Sequence, residues 1–520
     1  MAYAKALSLF FRLLLLINLL TVSFCDDLAV MSKLLAALSP TPSGWSTSTH
    51  PCTWDYVECQ SGNVVIISLA SQSISGELPS ELTHLASLRS LSVRQNFLSG
   101  RLPSFANMSR LERLYLDSNE FSSIPQDFLL GLPNLRIFNV SDNHKLSPWQ
   151  IPSYLTQSTP LESFSASNAS ITGVIPNFFD SFPNLQNLEL SYNNLTGSLP
   201  GSFGSSEIQN LWLNNQKQGL SGTIHVLSSM TQLTQVWLHA NAFTGPIPDL
   251  SKCVNLFDLQ LADNQLTGVV PVSITALPKL VNINLQNNNL QGPMPEFGNN
   301  VKVNVFGNSF CMSAPGRPCD PKVTALLAVA EGLGYPITLA QSWVGNDVCF
   351  DWAFISCEAP GNVITVNLQK HHFSGTISPA LANFTSLRNL YLNDNNLTGP
   401  IPESLTTLRN LKVLEVSNNN LSGPIPVFPP SVNFSHGGNL FLGKNCYMKR
   451  QHKMKVSVKG TAVSTEINKR DMVDCGRTFP AQEDGNIKQI ASNRRSFGKS
   501  NNSLCTHPLN KASLYMWMCF

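Results

Sequence analysis

Six cysteines in three closely spaced pairs are the residues whose chemistry the sequence indicates most clearly. The pairs are Cys52 with Cys59, Cys311 with Cys319, and Cys349 with Cys357. Because each pair is seven or eight residues apart, oxidation would close a short loop, and we expect three local disulfides. A zinc site is the alternative, but no spacing is Cys-x-x-Cys and no histidine pair accompanies them. Cys253 stands alone and is expected to be a small buried hydrophobic residue.

The histidines and carboxylates do not form a recognisable catalytic set. His371 and His372 are adjacent in LQKHHFSG, and His371 is expected to replace a structural asparagine. His239, Asp258 and Asp263 are expected near one another on successive turns, yet no serine in a nucleophile elbow and no paired carboxylates with a pocket accompany them. The motifs of a protein kinase are also missing from the sequence. We therefore predict no enzyme, and no site for a metal or a cofactor.

A motif that recurs about every 24 residues must position these side chains. It reads L-x-x-L-x-L-x-x-N-x-L-x-G-x-I-P, as in LRNLYLNDNNLTGPIP at residues 387–402. One copy cannot bury its own apolar face, so copies stack as turns of a solenoid. We predict an α/β leucine-rich repeat solenoid, a right-handed superhelix of parallel strands. The Gly-x-Ile-Pro ending of the motif resembles that of plant-type repeats. A content of 42% hydrophobic and 13% charged residues agrees with a long core.

Ten turns precede a gap in the repeat and three follow it, which divides the chain into two stacks. Residues 7–22 form a short apolar run, which predicts a cleaved signal peptide; an anchor helix is the alternative. The predicted segments are a signal peptide at 1–25, an N-terminal cap at 26–62, the first stack at 63–296, a cysteine-bearing island with a second cap at 297–361, the second stack at 362–430, and a basic tail at 431–520.

The island repeats the organisation of the N-terminal cap. In both segments a cysteine pair follows a tryptophan, in SGWSTSTHPC at Trp45 and in AQSWVGNDVC at Trp343. A cap shields the apolar end of a stack, so the second segment is expected to begin the second stack. The intervening KVTALLAVAEGLGYP predicts a short helix. The island is either a hinge or a wedge with its own docking surface, in which case Tyr335 and Pro336 would contact a partner.

Asparagines have two separate predicted roles. Those that follow the strands should bond to backbone groups of adjacent coils and not to ligands; they are Asn119, Asn193, Asn241, Asn264, Asn288, Asn395 and Asn419. Sequons that indicate glycosylation of an exported protein lie at Asn107, Asn139, Asn168, Asn194, Asn383, Asn396, Asn420, Asn433 and Asn501. Asn194, Asn396 and Asn420 directly follow a turn asparagine and are expected to be exposed. Asn139 lies on a strand, where a glycan would block protein partners.

Aromatic residues occupy the solvent-facing position between the two inward apolar residues of several strands. They are Tyr115, Trp212, Trp237 and Tyr391. Adjacent turns should bring Trp212 and Trp237 to about 4.8 Å from each other, and exposed aromatics are typical binding anchors. The predicted site also includes Tyr192, His239, Asp258 and Gln260, with Asn210 and Gln235 on its rim. His239 is a candidate pH sensor. The alternative is that the aromatic residues pack only on one another or on a glycan.

The order of the segments resembles a plant receptor family. A signal peptide, a cap, ten repeats, an island with NSFC, CDP and SWVGNDVC, and three more repeats are similar to the extracellular region of the transmembrane kinase (TMK) family of leucine-rich repeat receptor-like kinases. The resemblance covers residues from about 26 to 444. It implies a role in auxin signalling at the cell surface. The implied partners are small secreted auxin-binding proteins, other protein or peptide ligands, or a co-receptor ectodomain.

The C-terminal part of the sequence departs from that family, whose members continue into a membrane helix and a Ser/Thr kinase. Residues 444–520 carry fourteen Lys/Arg against five Asp/Glu, a net charge of +9 in a chain whose total is +2. No apolar stretch of about 20 residues follows the repeats, so no second membrane span is expected. A basic tail can bind nucleic acid or anionic surfaces, but we favour an alternative or mispredicted receptor end and predict no nucleic-acid partner.

The predicted function is therefore recognition by a receptor-type ectodomain that lacks its kinase. We expect this chain in the apoplast, whereas full-length members of the family would lie at the plasma membrane. A secreted inhibitor or defence protein resembling the polygalacturonase-inhibiting proteins is the alternative. The island favours the receptor, because an inhibitor usually has one uninterrupted stack, and the missing membrane helix favours the inhibitor.

Overall fold

The computed structural model describes residues 27–441, which form two stacks of coils, each with a parallel β-sheet along its concave side. The predicted signal peptide, nearly all of the basic tail and the sequon at Asn501 lie outside these residues. The first sheet consists, in spatial order, of β2 (Val57–Gln60), β3 (Asn63–Ser68), β5 (Ser90–Ser92), β7 (Arg113–Tyr115), β8 (Ile137–Asn139), β9 (Ser163–Ser165), β11 (Asn187–Glu189), β13 (Asn210–Trp212), β15 (Gln235–Trp237), β17 (Asp258–Gln260), β19 (Asn282–Asn284) and β21 (Lys302–Asn304). The second consists of β22 (Ile355–Glu358), β23 (Asn362–Asn367), β25 (Asn389–Tyr391), β27 (Val413–Glu415) and β29 (Asn433–Ser435).

Shorter strands and helical turns complete the coils away from the concave sheets. The strands are β1 (Leu38–Ser39), β4 (Ser75–Glu77), β6 (Phe97–Ser99), β10 (Thr172–Val174), β12 (Asn194–Thr196), β14 (Ser221–Gly222), β16 (Ala242–Pro246), β18 (Gln265–Val269), β20 (Asn289–Gln291), β24 (Ser374–Thr376), β26 (Asn396–Gly399) and β28 (Asn420–Leu421). The α-helices are α1 (Asp27–Ala37), α2 (Val272–Thr275), α3 (Pro321–Gly332) and α4 (Ile337–Ser342). Single 3-10 turns span Pro51–Thr53, Ser80–His84, Ser153–Gln157, Phe179–Ser181, Gly201–Ser205, His225–Ser229, Pro379–Asn383 and Glu403–Thr407.

The apolar residues of the strand motif build the core. Leu188, Leu211 and Leu259 pair with their neighbours in successive strands and are completely buried. Each inward residue therefore packs mainly on the equivalent residue of the next coil, which is why one repeat cannot fold alone. The buried residues form one cluster through the first stack and a second through the island and the second stack. These stacked parallel strands confirm the predicted leucine-rich repeat solenoid.

The asparagine after each strand connects adjacent coils, as predicted. In Asn193, Nδ2 donates to the carbonyl oxygens of Ala166 and Leu190, and Oδ1 accepts from the N–H groups of Ala169 and Ile171. These backbone groups are buried, where an unpaired polar atom is costly. One side chain therefore satisfies backbone groups of two coils.

His371 does not take the place of such an asparagine, which corrects the sequence prediction. Its side chain is exposed, and its ring packs against those of Phe354 and Phe373 at centroid distances of 4.5 and 5.2 Å. The reason is its position in the first turn of the second stack. No repeat coil precedes that turn, so no carbonyl of an earlier coil needs the bond.

Each stack has one turn more than the repeat motif predicted. In the first stack, β21 adds a parallel strand after the ten predicted turns, past the expected end at residue 296. In the second stack, β29 does the same after the three predicted turns, past residue 430. Asn308 and Asn439 continue the asparagine ladder, bonding to the carbonyls of Leu285 and Val416. The sequence signal was the shared GNSF and GNLF, which place a ladder asparagine after strands that lack leucine.

All three predicted cysteine pairs form disulfides in the structure. Two of them join the segment before an antiparallel hairpin to its first strand, since Cys59 lies on β2 and Cys357 on β22. These hairpins, β2 with β3 and β22 with β23, start the two stacks. Cys253 is buried and reduced, and its burial raises the pKa of its thiol to about 11. No helix within residues 27–441 is long and apolar enough to cross a membrane.

The island is docked on the first stack. The Thr267 hydroxyl donates to the carbonyl oxygen of Tyr335 at 2.8 Å, and the buried Gln291 amide donates to the carbonyl oxygen of Trp343 at 2.7 Å. Helix α3 packs on the 3-10 turn Pro379–Asn383 of the second stack. The island is therefore a wedge held by both stacks and not a free hinge. Tyr335 is half-buried in this contact, which argues against the alternative that it anchors a partner.

Candidate binding surface

Two indole rings form the centre of the candidate surface. Trp212 and Trp237 are paired in register on β13 and β15, and their rings stack with centroids 4.3 Å apart and planes within 7°. Both side chains are only half-buried. Each ring covers one face of the other, and the part of each side chain that stays exposed is available to a partner. The sequence left open that the two residues only pack on each other, and the structure shows such packing for one face of each ring.

Asp258 positions Trp237 and does not belong to an exposed rim. It is only 7% exposed, and its carboxylate accepts hydrogen bonds from Trp237 Nε1 at 2.8 Å and from Gln260 Nε2 at 2.6 Å. A buried carboxylate needs such donors, since an unpaired charge away from water is costly. Asp258 was predicted as a ligand contact, but both carboxylate oxygens are already engaged.

Two ring nitrogens at this pair have no hydrogen-bond partner. Trp212 Nε1 and His239 Nδ1 are both enclosed and lack a hydrogen-bond partner among residues 27–441. The other ring nitrogen of His239 lies 3.4 Å from Asn215 Nδ2. Both unpartnered nitrogens are buried beneath the exposed part of the surface and do not themselves face solvent.

Burial lowers the pKa of His239, while the carboxylates of Asp263 and Asp258 oppose this shift. A lowered pKa means that the folded protein prefers the neutral imidazole. This contribution to stability is present above the ordinary pKa of histidine and is lost as the pH falls through the lowered value. His239 is consequently neutral in the folded state down to a lower pH than a free histidine.

Sequence reasoning overlooked Glu189, which pairs in register with Trp212 and so flanks the indole stack. Burial raises the pKa of its carboxyl group, and the Ser165 hydroxyl, which donates to Oε2 at 2.9 Å, partly opposes that rise. The available signal was positional, because Glu189 occupies the same solvent-facing place in its strand as the tryptophans.

The structure brings five predicted residues together, places Tyr192 at their margin and separates two others. The five are Trp212, Trp237, His239, Asp258 and Gln260. Tyr115 lies on β7, four strands from β13, beside Asn139. Tyr391 belongs to the second sheet. Tyr192 follows β11 and is 60% exposed, and its N–H donates to the carbonyl of Asn214 on the coil that carries Trp212. The candidate surface is therefore confined to β11–β17 of the first stack.

Six of the described sequon asparagines are exposed, namely Asn107, Asn168, Asn383, Asn396, Asn420 and Asn433. Asn194 is half-buried with an enclosed Oδ1, so the expectation of exposure was wrong for this residue. The next coil has a longer turn, whose Lys217 N–H bonds to the carbonyl of Asn193 and holds that turn close by. Asn139 is half-buried on the concave face, as its place on a strand required.

A metal centre is not apparent within residues 27–441, where no three His, Cys, Asp or Glu side chains are close enough to share an ion. The two histidines next to each other in sequence, His371 and His372, are both exposed. The chemistry that the concave face offers is therefore hydrogen bonding and apolar contact.

Comparison with known families matches several parts of the chain. The leucine rich repeat N-terminal domain matches twice, at residues 26–60 and 320–358. Leucine rich repeat models match residues 86–144, 184–206 and 375–430. The second N-terminal domain match supports the interpretation of the island as a second cap.

The chain is similar to three receptor kinases over most of its length. Receptor-like kinase TMK4 of Arabidopsis thaliana is 52% identical over 83% of this chain and 47% of its own length. The chain carries the leucine-rich repeat region of the TMK family. Receptor-like kinase TMK2 of Arabidopsis thaliana is 41% identical over 73% of this chain and 44% of its own length. Receptor protein kinase WSS1 of Oryza sativa subsp. japonica is 47% identical over 76% and 44%. The chain thus spans about half the length of these relatives.

Two solved structures from Arabidopsis show a similar fold. The ectodomain of the membrane receptor kinase GASSHO1/SCHENGEN3, in complex with CASPARIAN STRIP INTEGRITY FACTOR 2, is 25% identical with a TM-score of 0.51, covering 80% of this chain and 47% of that one. The ectodomain of the receptor kinase HAESA, in complex with an IDA peptide hormone ligand, is 26% identical with a TM-score of 0.50, covering 81% and 74%. The chain therefore shares its architecture with the ectodomains of plant receptor kinases.

Proposed function

We propose that the concave face of the first stack recognises an extracellular protein or peptide in receptor-type signalling at the plant cell surface. The observation that carries this proposal is the stacked pair of Trp212 and Trp237, which stays half-exposed on the concave face. The exposed part of the two rings would bury apolar surface against a ligand. Exposed tryptophans of this kind are typical of an interface hot spot.

The partner class follows from the relatives. The TMK relatives are receptor kinases, and two structurally similar ectodomains are in complex with CASPARIAN STRIP INTEGRITY FACTOR 2 and with an IDA peptide hormone ligand. We infer a partner of the same general kind for this chain, with a small secreted auxin-binding protein as the first candidate and a co-receptor ectodomain as another. The part shared with the relatives is the repeat region, so the role proposed is binding at the extracellular side and not catalysis.

The test compares the Trp212→Ala/Trp237→Ala variant with the wild-type protein. Binding of small secreted auxin-binding proteins, with and without auxin, is measured by biolayer interferometry on secreted protein. Loss of a hot spot should weaken binding by at least about 2 kcal/mol, roughly thirtyfold. Unlike the sequence alone, the structure predicts a modest loss of stability, because Asp258 loses a donor in the double variant.

Two further variants separate binding from folding. Trp212→Ala alone retains the hydrogen bond between Trp237 and Asp258 and should still lose most of the affinity. Tyr391→Ala changes the equivalent strand position of the second stack and should leave binding unchanged. Equal affinity of the double variant and the wild-type protein for every partner that binds would refute this assignment.

A further inference from the structure

The first parallel sheet ends at an edge that no other strand of residues 27–441 covers. Strand β21 pairs only with β19, and the second sheet starts separately at β22. The Lys302 N–H donates to Val281, and the Asn304 carbonyl accepts from Leu285, so both residues bond towards the stack. In a parallel ladder alternate residues bond to opposite sides, so the peptide groups of Val303 face away from β19. An unpaired edge of this kind can accept an additional strand.

This edge exposes apolar side chains. Val303 is 41% exposed, whereas Ile283, its partner in the preceding strand, is 1% exposed. Phe306, which follows the strand, is 78% exposed. A shallow depression beside the edge is lined by Gln260, Asn282, Ile283, Asn284, Lys302, Val303 and Asn304. Backbone groups, apolar side chains and a depression therefore coincide at the end of the first stack.

The end of the second stack lacks these features, although it is built from the same extra turn. Phe434 takes the place of Val303 and is covered by Phe428 at a centroid distance of 4.9 Å. Gly437 takes the place of Phe306, since each lies two residues before the last ladder asparagine. An exposed phenylalanine is thus not required by the fold of this turn.

Charge selects the kind of segment that fits. Lys302 is exposed, and the ion pairs of residues 27–441 do not include it. A neighbouring parallel strand would place its residue at the equivalent position beside this ammonium group, as β19 places Asn282 there. The chain's own residues 444–520, with a net charge of +9, would be repelled. An acidic residue flanked by apolar ones is complementary.

We propose that the edge of β21 binds an extended segment of a partner protein as an additional parallel strand, with an acidic residue beside Lys302 and apolar residues over Val303 and Phe306. This inference rests on the proposed recognition function and assigns it a second contact, separate from the tryptophan pair. Main-chain hydrogen bonds would supply affinity, and the side-chain contacts would supply specificity.

The probe is a fluorescent peptide that copies residues 254–264 of this chain, VNLFDLQLADN. In parallel register its first aspartate lies beside Lys302, because Asp258 holds the equivalent position in β17. Fluorescence polarisation with the full chain should show saturable binding. The Lys302→Glu variant should bind this peptide about five- to tenfold more weakly. A peptide with lysine in place of that aspartate should bind the Lys302→Glu variant with most of the lost affinity recovered. Phe306→Gly, which copies the second stack, should also weaken binding with little change in melting temperature.

Hydrogen exchange locates the peptide. Bound peptide should slow amide exchange in residues 301–306 and leave the strands of the tryptophan pair unchanged. The Trp212→Ala/Trp237→Ala variant should bind the peptide normally, so failure of the proposed function and failure of this inference are distinguishable. Absence of saturable binding, equal affinity in Lys302→Glu, or protection at β13 and β15 instead would overturn the proposal. The proposal would also be overturned if sedimentation showed a dimer of the chain that the Lys302→Glu substitution dissociates. The edge would then bind a second copy of the chain and not a partner protein.

Discussion

The two caps of this chain are built alike but have different surroundings. In the N-terminal cap, Trp45 and Trp54 pack with centroids 4.8 Å apart beside the disulfide of the β2–β3 hairpin. In the island, Trp343 and Trp352 do the same at 5.3 Å beside the β22–β23 hairpin. The indole N–H of Trp45 donates to the carbonyl oxygen of Asp55, and that of Trp343 donates to the carbonyl oxygen of Ala353. The motif therefore caps the stack that follows it in both places.

The difference lies in the coils on which the second cap rests. Gly268 of the first stack has a positive φ of 82°, and a Cβ there would lie 2.7 Å from the Tyr335 ring. Gln291, a buried polar residue on β20, bonds to the carbonyl oxygen of Trp343. The second cap is thus joined to the first stack by contacts that residues of that stack provide, and the cap motif itself does not specify them.

Substitution of Gly268 should have the largest effect on this joint. Gly268→Ala forces a Cβ into the Tyr335 ring and strains a positive φ, which should cost about 3 kcal/mol. Gly245→Ala is the matched control, since its φ is 75° but its Cβ would meet only Thr223, at 3.2 Å. Urea unfolding of both variants measures the difference. Equal losses would show that the island contributes nothing to the cost at Gly268.

Gln291 tests the polar contact of the same joint. Gln291→Leu leaves the carbonyl oxygen of Trp343 without its buried donor, which should destabilise the protein by about 1–3 kcal/mol. Gln265→Leu, at an exposed position of β18, should change stability by less than about 0.5 kcal/mol. Calorimetry of the two variants checks this expectation, and a stabilised Gln291→Leu protein would contradict it.

The smallest expected effect depends on pH and concerns the first stack alone. The raised pKa of Glu189 means that folding favours its protonated form, so this contribution to stability is present below the ordinary pKa and lost as the pH rises through the raised value. Glu189→Gln should therefore melt at a higher temperature than the wild-type protein at pH 7. The difference should shrink towards pH 4. Melting curves across this range test the sign, and a difference independent of pH would exclude titration of Glu189 as its source.

Part of the candidate surface was predictable because it follows from strand periodicity. The alternation of inward and outward residues placed Trp212 and Trp237 side by side on the concave face, and the structure shows them stacked. Periodicity does not describe how far a side chain reaches into the neighbouring coil. It therefore missed the burial of Asp258 beneath Trp237 and the position of Glu189 beside Trp212.

The sequence by itself determined the features that repeat locally: the turns, the asparagine ladder and the paired cysteines of the caps. Each depends on residues within one coil or on the same position in the next, so spacing alone reveals it. Only the tertiary structure decided the docking of the island on Gly268 and Gln291 and the uncovered edge at Val303. The Thr267–Tyr335 contact joins residues 68 positions apart. Such contacts depend on where one stack ends and the next begins, and no periodic pattern contains that information.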